Sequence, residues 1–136
     1  MNYLLDANVC IALMNRSSDA IYRNQERAIL LGDEIFLSSI VNHELWFGVG
    51  KSARPQSNAL ILSEFVGRGY ETLEFSNEDA QAAGQIRAAL KIAGTPIGAY
   101  DVLIAGQALT RGLTLVTANT REFSRVEGLK LMDWTQ

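Results

Sequence analysis

Asn2-Tyr3-Leu4-Leu5-Asp6-Ala7-Asn8-Val9 opens the chain. Tyr3, Leu4 and Leu5 are consecutively apolar. A strand with one wet face would alternate, so this run predicts a short strand buried on both sides. Asp6 closes it, which puts a carboxylate at the carboxyl edge of the sheet. Working outward, the same pattern returns at Glu34–Leu37, Glu71–Phe75 and Leu113–Thr117, with a last edge strand at Leu129–Met132. Helical patterns separate these runs. One passes through Val9–Met14. A second covers Asp19–Leu31 and is stopped by Gly32. A third is capped by Ser38 or Ser39 and runs to Val49. A fourth starts at Pro55 and ends near Gly67. Ser76, with acids in the turn behind it, starts a fifth that ends at Gly94. Ala99–Arg111 is apolar on most sides, as a buried helix is, and Thr120–Phe123 is a short helical turn. Strands alternating with helices predict an α/β fold: a parallel sheet of four to five strands, covered on both faces.

Composition fits one domain over residues 1–136. Hydrophobic residues make up 48% and charged residues 20%, the mix of an ordinary globular chain. No repeat or low-complexity tract occurs, and the two prolines, Pro55 and Pro96, lie between helical patterns. No apolar run reaches the roughly 18 residues needed to span a bilayer. The N-terminus lacks the basic start and long apolar core of a secretory signal, so a cytoplasmic location is expected and no membrane partner. Cys10 is the one cysteine; set between Val9 and Ile11, it reads as a small buried apolar residue. Formal net charge is −3, whereas nucleic-acid binders usually carry a basic surplus. Arg111, Arg121, Arg125 and Lys130 form one basic group and Lys51 and Arg54 a smaller one. Charge alone reads them as solvated surface.

The acids carry the functional argument. Parallel sheets bind ligands outside the carboxyl ends of their strands. Asp6 ends the first strand. Glu44 lies early in the helix that leaves the second strand at that edge. Asp101 lies in the first turn of the helix that runs down into Leu113–Thr117. Asn119 hangs just past Thr117, with Glu122 one turn on. Each has a duller role open to it: Asp6 and Asp101 suit helix N-termini, and Glu44 can reach solvent. Together at one edge they repel and raise one another's pKa. A hard divalent cation removes that penalty. Mg²⁺ and Mn²⁺ prefer oxygen ligands, so a cluster without histidine or cysteine suggests phosphodiester hydrolysis rather than zinc chemistry. His43, the only histidine, adjoins Glu44 but faces another way along a helix and reads as a surface or packing residue. Ser38, Ser39 and Thr117 have no triad partner, and Gly48 and Gly50 make no phosphate loop. Trp46 and Trp134 could stack on bases, although burial or edge packing is the commoner fate.

These residues resemble a known family. Leu4-Leu5-Asp6-Ala7-Asn8-Val9, Ser38–Gly48 around Glu44-Leu45, and Pro96-Ile97-Gly98-Ala99-Tyr100-Asp101 with Ile104-Ala105 are similar to the first three motifs of the PIN domain. Thr114–Phe123 is similar to the fourth, and Gly128-Leu129 to Asp133-Trp134 is a typical ending. The likeness covers essentially the whole chain and is specifically to the VapC toxins of bacterial VapBC toxin–antitoxin pairs, which the chain resembles. It implies a three-layer α/β/α sandwich and a Mg²⁺-dependent endoribonuclease, with Mn²⁺ as a substitute. Asp6, Glu44 and Asp101 would be the core carboxylates and metal ligands, Asp6 and Asp101 directly and Glu44 through water or as the group that orients the nucleophile. Asn8 and Thr117 would support them. The family's fourth acid falls near Asn119, neutral here, with Glu122 as an alternative. Ala7 stands where many members carry a hydroxyl. The resemblance further implies a homodimer, inhibition by a cognate VapB-like antitoxin whose tail fills the active-site groove, and structured RNA as substrate. Arg121-Glu122-Phe123 looks most like the tRNA-cutting branch, with the anticodon stem-loop as target and Arg121 and Arg125 as backbone contacts. The expected reaction is in-line attack of water with the 3′ oxygen leaving. Two other classes compete: a degraded PIN fold that only binds a protein or nucleic acid, and a phosphoryl-accepting receiver-like domain. The second lacks the acidic pair and the lysine it needs.

Overall fold

The computed structural model describes residues 1–136. Its sheet holds five strands: β1 (Asn2–Leu5), β2 (Glu34–Ser38), β3 (Glu71–Leu73), β4 (Thr114–Val116) and β5 (Lys130–Met132). All pairs are parallel, in the order β3-β2-β1-β4-β5. The helices are α1 (Ala7–Asn15), α2 (Asp19–Leu30), α3 (Ser39–Gly50), α4 (Pro55–Val66), α5 (Asn77–Ala93), α6 (Ala99–Thr110) and α7 (Thr120–Phe123). Every predicted element is present, with ends shifted by a residue or two. β3 and β4 are each two residues shorter than expected; past β3 the Phe75 amide donates to Ser39 Oγ and the Glu74 carbonyl accepts from Arg111 instead of pairing in the ladder.

Strand order decides where a site can form. The chain moves from β1 outward through β2 to β3, then returns to the other side of β1 for β4 and β5. The connections therefore part between β1 and β4, and a crevice opens there at the carboxyl ends. The strands' inner residues Leu4, Leu5, Leu37, Leu115 and Val116 are fully buried, as continuous apolar runs in a two-faced sheet require. Cys10 is buried with them.

α5 and α6 form an antiparallel hairpin that holds the first turn of α6 over this edge. At its far end Arg111, just past α6, donates to Asp79 Oδ2 at 3.0 Å and to the Glu74 carbonyl at 2.9 Å. Arg111 thus leaves the basic surface group expected from sequence; its guanidinium neutralises a fully buried aspartate and holds that carboxyl below the usual range. In the middle, Gly106 lets the helices touch. A Cβ there would lie 2.7 Å from Ala83 N.

Candidate active site

Asp6 follows β1 at once and caps α1. Its Oδ1 accepts the Val9 amide at 2.9 Å. The capping role and a place in the crevice are thus compatible: one oxygen is used by the helix, and Oδ2 remains. Asp6 is 9% exposed. Burial pushes its carboxyl up, while the Thr117 hydroxyl and the amides of Val9 and Asn8 pull it part of the way back. Thr117 is fully buried past the end of β4, and its Oγ1 also accepts the Asn119 amide at 3.0 Å. That makes Thr117 the link between the ends of the two central strands.

Glu44 projects from α3. Ser38 caps this helix through Ile40, so the chain turns directly from β2 into α3 and brings Glu44 to the crevice. Its Oε1 is buried and has no hydrogen-bond partner. Burial raises its pKa, and the charges of Asp101 and then Asp6 raise it further; His43 acts in the opposite sense. Asp101, from the first turn of α6, is raised by burial, then by Glu122, then by Asp6. The three acids therefore feel one another across the crevice, and Glu122 joins them. Asn119 Nδ2 donates to Glu122 Oε2 at 3.0 Å, so the neutral residue at the fourth motif position steers a carboxylate toward Asp101.

No three of these acids stand close enough to grip one ion as a closed cage in the rotamers seen. Mg²⁺ commonly uses one or two carboxylates and keeps several waters, so a closed trio is not needed. The donor set is all oxygen, and an orphaned buried Glu44 oxygen is costly unless something takes it up. On both counts the residues fit a hard divalent cation.

The remaining sequence candidates divide. Asn8 is exposed and lines a groove beside Glu44, though its backbone amide also serves Asp6. Arg121 is exposed on α7. Arg125 Nη1 donates to the Pro96 carbonyl at 3.0 Å, bracing the loop that precedes α6. His43 leans on Tyr100, ring centroids 5.4 Å apart, at the mouth of the crevice. Trp134 packs edge-on against Tyr3 and is buried, as expected. Trp46 departs from that expectation: it is 44% exposed on the outer face of α3. One acid was missed. Asp133 follows β5 at the same sheet edge, and its charge reaches Asp6. It is held by Thr135, whose amide and hydroxyl both donate to its Oδ1 and keep its carboxyl below the usual range. The signal was the one used for Asp6, an acid directly after an apolar strand.

An oxygen-rich crevice lies at the switch point of a five-stranded parallel sheet. The chain belongs to the PIN domain family, whose model matches residues 3–129. Within that family it falls among the VapC proteins. It is 40% identical over 134 residues to the tRNA(fMet)-specific endonuclease VapC of Salmonella typhimurium, covering 98% of both chains. It is 38% identical over 135 residues to the protein of the same name from Shigella flexneri, covering 99% of both. The solved structure of VapBC2 from Rickettsia felis, bound to a DNA fragment from its promoter, superposes with a TM-score of 0.91 at 37% identity, over 98% of this chain and 99% of that one.

Proposed function

We propose that this protein is the ribonuclease toxin of a toxin–antitoxin pair, a Mg²⁺-dependent endonuclease that cuts structured RNA, with the tRNA anticodon stem-loop as substrate. The observation that carries the reading is the orphaned, buried Glu44 Oε1 among acids that raise one another's pKa. Asp6, through Oδ2, and Asp101 are the residues to hold the ion. A divalent cation bound there supplies Lewis acidity, making water a better nucleophile at neutral pH and offsetting charge on a phosphate. Glu44 Oε1, a free acceptor, would take a hydrogen bond from the attacking water and so orient it, or ligate the ion through water. Glu122, steered by Asn119, completes the negative rim. Arg121, exposed on α7 just past the end of β4, is the cation for a phosphate contact. The rival reading, a degraded site that only binds, rests on the neutral Asn119. Glu122 speaks against it: its carboxylate accepts from Asn119 Nδ2 and its charge acts on Asp101.

A VapB-like antitoxin is the partner this reading implies, supported by the name of the Rickettsia felis complex. A groove of about 490 Å³ between α1, α3 and α4 runs up to Glu44 and is lined by Ile11, Phe47, Ile61 and Leu62. Phe47 is 65% exposed, an apolar surface that a partner segment would cover. A homodimer in the cytoplasm completes the proposal. Pairing would pool basic residues that a chain of net charge −3 holds sparsely, and no helix here is long and apolar enough to cross a membrane.

The test is cleavage of a synthetic anticodon stem-loop with Mg²⁺, with end-mapping of the products. Asp6→Ala and Asp101→Ala should each lose at least about a hundredfold in rate while keeping the fold. Cleavage at the wild-type rate by either variant would overturn the assignment.

A further inference from the structure

α5 and α6 begin with the same plan and finish it differently. Each has an aspartate at its third helical position. In α5 the cap is Ser76. Its Oγ accepts the Asp79 amide at 3.2 Å, and Asp79 Oδ2 accepts the Ser76 amide at 2.9 Å, a complete capping box. In α6 the corresponding pair is Gly98 and Asp101. Gly98 offers no side-chain cap, and no hydrogen bond reaches the Asp101 carboxylate. A box here would tie that carboxylate back to the main chain, as it ties Asp79.

Backbone conformation does not call for glycine at 98. Its φ of −57° and ψ of 150° suit any L residue. Space does. A Cβ on residue 98 would stand 3.0 Å from Asp101 Oδ2 and 3.6 Å from its Cγ. The neighbour is the end of a side chain, so it would yield by turning away. Serine, the usual choice at a cap, would bring the same Cβ and add a hydroxyl that accepts the Asp101 amide.

We infer that Gly98 is a positioning residue: by presenting no Cβ beside Asp101 Oδ2, it leaves the unbonded Asp101 carboxylate room to take the rotamer that an ion in the crevice would need. This rests on the metal-dependent reading above. Mg²⁺ and Mn²⁺ sites tolerate little displacement of a ligand oxygen, so a shift of a few tenths of an ångström is felt in affinity. The helix start gives up a favourable cap in exchange for a free ligand, as sites that trade stability for function do.

Gly98→Ala, Gly98→Ser and Asp101→Asn are compared with wild type by calorimetric titration with Mn²⁺, by melting of the metal-free protein and by stem-loop cleavage. Both Gly98 variants should bind Mn²⁺ about tenfold more weakly and lose kcat with KM for RNA unchanged. Metal-free Gly98→Ser should melt about 2 °C higher than wild type, and Gly98→Ala within about 1 °C of it. A purely structural role for Gly98 would not move stability and affinity in opposite directions. If Asp101→Asn loses Mn²⁺ while both Gly98 variants bind it like wild type, the positioning role is overturned and the metal reading stands. If Asp101→Asn also binds like wild type, the metal reading falls and takes this inference with it. A lower melting temperature for Gly98→Ser would refute the withheld cap.

Discussion

Replacing Gly106 by alanine should destabilise the protein, although alanine is the better helix former. The added methyl would lie 2.7 Å from Ala83 N, 2.8 Å from Ala83 Cα and 2.8 Å from Ala83 Cβ. Carbon atoms settle near 3.5–4.0 Å, so the overlap is roughly an ångström. Two of the three blocking atoms are main chain, and no rotamer change removes them; α5 and α6 must separate. Overpacking of this kind costs about 3 kcal/mol, and the gain in helix propensity offsets about 1 kcal/mol of it. The net loss is about 2 kcal/mol. Gly84, in the middle of α5, supplies the control. A Cβ there meets nothing within 4 Å, so Gly84→Ala should stabilise by about 1 kcal/mol. At about 4 °C per kcal/mol for a chain of this size, Gly106→Ala should melt about 8 °C lower and Gly84→Ala about 4 °C higher. Calorimetry on the metal-free protein, with urea melts to check that m is unchanged, reads both. A Gly106→Ala variant as stable as wild type would refute the close approach of the hairpin, and with it the account of how Asp101 is held over the sheet edge.

Arg111→Ala should cost about 3 kcal/mol, because it leaves the fully buried Asp79 without its counter-charge; Asp79→Asn in the same background should recover part of that in urea melts. Asp6, Glu44 and Asp101 all have raised carboxyl pKa values. Between the ordinary carboxylate range and those raised values the native state binds more protons than the unfolded state, so metal-free stability should fall as pH rises through that window, while Mn²⁺ affinity, which needs the ionised forms, should rise. Glu44→Gln should flatten the stability profile measured from pH 4 to 8, and an unchanged profile would count against the clustering. Phe47→Asp should weaken capture of the cognate antitoxin by about a hundredfold and leave stem-loop cleavage within about threefold of wild type; equal binding in a titration would remove the groove from the interface.

Much of the site was legible in the chain because each element ends near a residue with chemistry. Asp6 after Leu5, Glu44 within a helix that leaves β2 and Asp101 in the first turn of α6 could be assigned to one sheet edge from alternation alone. Asp133 obeyed the same rule and was passed over. Its strand is only half-buried, a weak signal beside the buried runs Tyr3–Leu5 and Thr114–Val116. Trp46 misled for a similar reason: helix periodicity around it is faint, since α3 is apolar on nearly all sides.

Sequence by itself determined the class of fold and the order of its helices and strands, with ends to within a residue or two, because hydrophobic period, caps and glycine stops are local properties. Only the folded chain decided that Asn119 holds Glu122 rather than standing alone, that Arg111 belongs to buried Asp79 rather than to a basic surface, and that Gly98 faces the Asp101 carboxylate. Those facts depend on where side chains from distant segments come to rest. Such meetings are set by the packing of α5 on α6 and by the order of strands around β1, which no short window of residues contains.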